Sequence, residues 1–139
     1  MTTTRIPLLE LGSLQSRPPD LIAKKGKPPW SEALVLTDDI QAFLICHPPG
    51  QPNDTHYHHH DEWWVVLAGR LVWELTGGTV LHAGTGDIVW VPRGTVHHIR
   101  TEGAERSLRL AVAMPPATHY FSPCEQCGFT DDGPREWRA

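Results

Sequence analysis

The chain has 139 residues, with 12 lysines and arginines against 16 aspartates and glutamates, for a formal net charge of -4. That length suits one domain around a single core, and the mildly acidic balance argues against nucleic acid or a membrane surface as partner. No apolar run approaches the ~20 residues of a membrane helix. The opening MTTTRIP does not read as an export signal, and 3 cysteines suit a reducing compartment better than a disulfide framework, so a cytoplasmic protein is expected.

Residues 1–32 hold Arg17-Pro18-Pro19 and Lys27-Pro28-Pro29-Trp30. Proline removes a donor and fixes φ, so this stretch is expected to be an extended N-terminal arm without regular structure. From there short β-rich runs alternate with turn signals. Strands are predicted near 33–37, 40–46, 55–58, 62–67, 70–75, 79–81, 87–91, 96–100 and 107–113, within a barrel spanning 33–114. Turns fall at Pro48-Pro49-Gly50, Ala68-Gly69-Arg70, Thr76-Gly77-Gly78 and Pro92-Arg93-Gly94. Many short antiparallel strands with tight turns indicate an all-β barrel or sandwich. Residues 115–139 form a C-terminal tail carrying Cys124-Glu-Gln-Cys127, while Cys46 reads as a core residue. The run Trp63-Trp64-Val65-Val66-Leu67 is apolar on both strand faces. One face fills the interior and the other needs a cover, the arm or a second copy, and a homodimer is expected.

Two blocks carry the chemistry, GQPNDTHYHHHDEWWVVLAG from Gly50 and GDIVWVPRGTVH from Gly86. Alternate strand residues share a face, so His56 and His58 project together. Glu62 opens the next strand, and His97 arrives after a Pro-Arg-Gly turn. Three neutral imidazoles and one carboxylate suit one divalent ion, Fe2+ favoured and Mn2+, Ni2+ or Zn2+ admissible. His60 shares the parity of His56 and His58 and is the alternative fourth ligand or a supporting partner. His59 and His98 point the other way, and His47, His82 and His119 stand alone as hydrogen-bonded or exposed histidines.

Nine positions of these blocks, Gly50, His56, His58, Glu62, Gly69, Gly86, Pro92, Gly94 and His97, match the double motif of the cupin superfamily, and the chain resembles that superfamily. The departure is Thr101, where the fuller pattern has Asn. The resemblance implies a single-domain double-stranded β-helix, a jelly-roll barrel, with His56, His58, Glu62 and His97 on the metal. The segment from Asp54 to Gly69, with the Cys-x-x-Cys tail, is also similar to 3-hydroxyanthranilate 3,4-dioxygenase. That likeness implies ferrous iron held by His56, Glu62 and His97, and an aromatic substrate.

The functional expectation is a non-haem iron dioxygenase acting on a small molecule. Trp64, Val66 and Trp90 are the expected pocket walls, and Arg100 and Arg109 are candidates for a substrate carboxylate. The alternatives are a redox-silent isomerase or lyase on a sugar or keto acid, and a small-molecule-binding barrel without turnover. The tail cysteines could form a partial zinc site with His119, a redox pair or two inert thiols.

Overall fold

The computed structural model describes residues 14–51 and 53–121, so Cys124, Cys127 and their expected chemistry lie outside the described residues. In chain order the elements are α1 (Pro18–Lys25), β1 (Trp30–Leu36), β2 (Gln41–His47), β3 (His56–Tyr57), β4 (Glu62–Ala68), β5 (Arg70–Leu75), β6 (Val80–Gly84), β7 (Ile88–Val91), β8 (His97–Glu102), β9 (Ser107–Ala113) and β10 (Tyr120–Phe121).

The strands form two five-stranded sheets, β1-β2-β9-β4-β7 and β10-β3-β8-β5-β6, every pair antiparallel. The sheets face each other as a jelly-roll sandwich and do not close into a continuous barrel, which leaves the outer strands of each sheet as edges. Alternation decides what lies between them. Ile45, Trp64, Val66, Val89, Val91 and Ala111 of the first sheet meet Leu71, Trp73, Ala83 and Ile99 of the second in one buried cluster. Burying a Leu, Val, Ile or Phe side chain contributes ~1.5–3 kcal/mol, so this layer is the main source of stability.

The arm departs from expectation. Residues 18–25 are helical, and β1 begins at Trp30, inside the stretch expected to be irregular. The physical reason is position: Pro18 and Pro19 occupy the first helical turn, where a missing N–H costs nothing. The helix ends at Gly26, whose N–H donates to the Ile22 carbonyl at 3.0 Å. Leu21 and Ile22 then pack with Trp30, Leu34 and Leu67 over Leu44, Cys46 and Leu108, on the outer face of the first sheet. The arm therefore covers the β2–β9 side of that face.

The cover stops short of the β4–β7 edge. Trp63 pairs with Trp90 across it, and Ile88 and Trp90 are 69% and 60% exposed. The short strand β10 was not expected; it pairs Phe121 with His56 and Tyr120 with Tyr57, bringing the C-terminal segment beside the first histidine block.

Candidate metal centre

β3 and β8 meet at a single pair, His56 opposite His97, at one end of the second sheet. Across the sandwich Glu62, the first residue of β4, lies opposite Ala113 and Val91. The loops are tied to each other at this end. Gly94 N–H donates to the His58 carbonyl at 2.7 Å, and Arg93 N–H donates to Asp61 Oδ1 at 2.9 Å. The Pro-Arg-Gly turn thus holds the two sequence blocks in register.

The result is a cluster of four buried side chains, His56, His58, Glu62 and His97, whose potential ligand atoms lie within 4.8 Å of one another. Two donors on opposite sides of an ion, each at ~2.1 Å, stand ~4.2 Å apart. The cluster therefore needs only small side-chain adjustments to close on one ion.

Each imidazole is held by its Nδ1. His56 Nδ1–H donates to the Asp54 carbonyl at 3.0 Å, His58 Nδ1–H to the Thr118 carbonyl at 2.9 Å, and His97 Nδ1–H to the Thr95 carbonyl at 3.0 Å. A backbone carbonyl can only accept, so in the neutral rings all three Nε2 atoms carry lone pairs. Those atoms face inward: His56 Nε2 is 3.1 Å from His58 Nε2, and Glu62 Oε1 is 3.0 Å from His58 Nε2 and 3.6 Å from His97 Nε2. Glu62 Oε1 and His97 Nε2 are both buried without a well-formed hydrogen bond. Converging lone pairs and a buried carboxylate repel unless a cation lies among them. The donor set fits a divalent ion.

The electrostatics agree with that geometry. Burial raises the Glu62 carboxyl, but the His58 and His97 imidazoles outweigh it and hold the group well below the usual carboxylate range. Burial and then the neighbouring His97 push His56 down to about 3 against the pull of Asp54, so it is neutral at physiological pH. For His58 burial is overcome by the adjacent Glu62, and the net shift is upward. Without metal, a proton on His58 is the cation that satisfies the cluster.

The other expected site residues separate by strand parity. Trp64 is buried, its ring 5.5 Å from His97 and 5.5 Å from Trp73, so it walls the centre, and the buried Val66 lies in the same interior cluster. Trp90 is not a wall: Val89 and Val91 take the inward positions of β7, and Trp90 faces outward. Arg100 also faces outward, its Nε 3.2 Å from Glu74 Oε1, because His97, Ile99 and Thr101 take the inward positions of β8. Arg109 faces inward. It lies opposite Ile45 and Val66, is 2% exposed, and has Nη1 3.4 Å from His47 Nδ1 while Nε makes no hydrogen bond. His60 is exposed in the turn after His58, which leaves His58 as the fourth member of the cluster.

His119 and Asp54 were not expected at the site. The His119 ring stacks flat on His56, with centroids 3.6 Å apart and planes 5° apart, and its Nδ1–H donates to Asp54 Oδ2 at 3.0 Å. Sixty-five positions separate the two partners, and no local spacing announces such a contact. A separate cleft of about 480 Å³, lined by residues including Pro28, Pro49, Gly69 and Arg106, opens at the other end of β4 and β9 and shares no residue with the cluster.

The sequence matches the family described as cupin domain over residues 43–114. No curated protein matches the chain. Among solved structures it is similar to an uncharacterised conserved protein with a double-stranded β-helix domain from Klebsiella pneumoniae, at 26% identity, covering 68% of this chain and 86% of that one with a TM-score of 0.60. A cupin superfamily protein from Desulfitobacterium hafniense aligns at 20% identity over 82% of this chain and 98% of that one, TM-score 0.62. An RmlC-like cupin family protein from Methanocaldococcus jannaschii aligns at 23% identity over 66% and 84%, TM-score 0.60. The last two likenesses concern the fold alone.

Proposed function

This chain belongs to the cupin family, and on that premise we propose that it is a metal-dependent enzyme, a dioxygenase acting on a small anionic molecule. His56, His58, Glu62 and His97 are the proposed ligands, with Fe2+ the preferred ion and Mn2+, Ni2+ and Zn2+ admissible. The observation that carries the reading is the set of three imidazoles pinned at Nδ1 with Nε2 turned onto one buried carboxylate. Bound ferrous iron would supply the electron transfer between substrate and O₂ that no side chain here can perform.

The chain supplies charge and enclosure. Burial lowers the Arg109 guanidinium to about 10, with Glu62 opposing the shift, so it remains a cation at neutral pH. His47 beside it is pushed to about 4, by burial and then by Arg109, and accepts rather than repels. A divalent ion, one carboxylate and one guanidinium sum to a positive interior, and buried charge calls for a partner. A substrate carrying a carboxylate or similar anion supplies that charge. Trp64 packs against His97 and keeps water from that side.

A second reading rests on the fourth ligand. Four protein donors leave two of the six positions of an octahedral ion. A substrate that chelates through both leaves no room for a second reactant, which favours a redox-silent isomerase or lyase on a sugar or keto acid. Oxygen separates the two. Protein purified anaerobically and analysed for metal should hold about one iron per chain. It should also consume O₂ with some member of a panel of catechol-like and aminophenol-like carboxylates, and lose that uptake in Glu62→Ala and His97→Ala. Reproducible zinc with no uptake from any compound removes the dioxygenase reading. We further propose a homodimer, supported by the uncovered Trp63, Ile88 and Trp90 stripe, and a cytoplasmic location, which the 3 cysteines suit better than an oxidising compartment.

A further inference from the structure

We propose that Asp54 and His119 are positioning residues for the metal ligand His56, so that the C-terminal segment completes the centre. The Asp54 carboxylate is shared between two imidazoles. Oδ1 lies 3.2 Å from His56 Nδ1, a second acceptor beside the Asp54 backbone carbonyl that takes the same N–H at 3.0 Å, and Oδ2 lies 3.0 Å from His119 Nδ1. The two rings it joins are parallel and in van der Waals contact, 3.6 Å apart with a 5° angle between planes. His56 therefore cannot rotate about its own axis without unstacking from His119, and cannot tip without leaving Asp54. The next ligand depends on the same stretch, because the Thr118 carbonyl accepts from His58 Nδ1. Strand β10 docks this stretch by pairing Phe121 with His56.

The consequence is chemical as well as steric. A carboxylate on Nδ1 makes the opposite nitrogen a stronger donor, and a fixed ring holds that donor on the ion. Metal affinity is then set by residues 54 and 118–119 as well as by the ligands. This inference rests on the metal-centre reading, and the experiment separates the two. Metal-free wild-type protein, Asp54→Asn, His119→Phe and His119→Ala are titrated with Co2+, following stoichiometry, affinity and the visible d–d bands. Wild type should bind one equivalent. Asp54→Asn should bind one equivalent ~10–100-fold more weakly with shifted bands. His119→Phe keeps the stacked ring but loses the bond to Asp54, so it should fall between wild type and His119→Ala in affinity with shifted bands, whereas a merely space-filling ring would leave His119→Phe with the wild-type affinity and spectrum.

Absence of binding by wild type would overturn the metal centre and this inference with it. Tight wild-type binding with unchanged affinity and bands in all three variants would overturn this inference alone. Binding of two equivalents, the second lost with Asp54 and His119, would also overturn it, by making these residues ligands of a further ion.

Discussion

At the residue scale, the proposed ligand role of His58 couples proton to metal. Its proton is held above the ordinary imidazole range in the metal-free protein, while a metal needs the neutral ring. Metal uptake should therefore release a proton, and affinity should climb with pH until the raised value is passed. A folded-state value above the unfolded ~6.5 stabilises the metal-free fold below ~6.5, and that stabilisation is lost as pH rises through the folded value. The metal-free protein should thus lose stability over the window in which affinity grows. Titrations with Zn2+ between about pH 6 and pH 8 test this; a flat affinity would take His58 out of the ligand set. Glu62→Ala should weaken divalent-ion binding by more than ~100-fold, since loss of an outer partner alone costs 10–100-fold. Competition against a chromogenic chelator measures it.

Residue by residue, the site was partly legible. His56, His58, Glu62 and His97 could be read because strand alternation and block spacing carry the information locally. Arg109 and Trp90 could not be sorted, because which face of a strand looks inward depends on the partner strand. The Asp54–His119 pair needs the whole chain folded before it exists.

Among the elements, Gly69 joins β4 to β5 with φ of 76°, and a Cβ there would press on the Arg106 carbonyl oxygen and lie 2.9 Å from Ser107 Cα. Backbone, not a flexible side chain, is in the way. Gly69→Ala should cost about 2–4 kcal/mol, strain and clash together, read as a lower urea midpoint at unchanged slope. Helix α1 contributes through Leu21 and Ile22 on the Leu44–Cys46–Leu108 cluster. Leu21→Ala should cost about 1–2 kcal/mol, less than a full core truncation because the site is only partly buried; an unchanged midpoint would mean the helix is not docked. Strands 70–75 and 107–113 coincide with β5 and β9, which are β-rich runs buried or half-buried along most of their length. The helix was missed because paired prolines read as breakers, although at a helix start they are tolerated.

At the scale of the whole molecule, two facing sheets leave β7 as an edge whose outer face carries Ile88 and Trp90 beside Trp63. An apolar edge of this kind invites a second copy or, if left bare, aggregation. Ile88→Lys with Trp90→Glu should convert a dimer to monomers in sedimentation velocity while leaving metal affinity unchanged. A monomeric wild type would remove the dimer, and a variant that still sediments as a dimer would place the interface elsewhere. Sequence suggested the two-sided apolar strand; only the packing of α1 shows which part of its outer face is already covered. Among the described residues no helix is long and apolar enough to cross a membrane.

The candidate centre sits where the architecture is thinnest, since β3 and β10 have two residues each, against seven in β2, β4 and β9. Short ladders fray at low energy, long ones only when everything melts. Stripped with a chelator, the amides around 56–58 and 119–121 should exchange with deuterium long before those of β2 and β9, and saturating cation should slow them selectively. The ion would then act as a rivet for the loosest corner of the molecule, and its loss would loosen that corner without unfolding the rest.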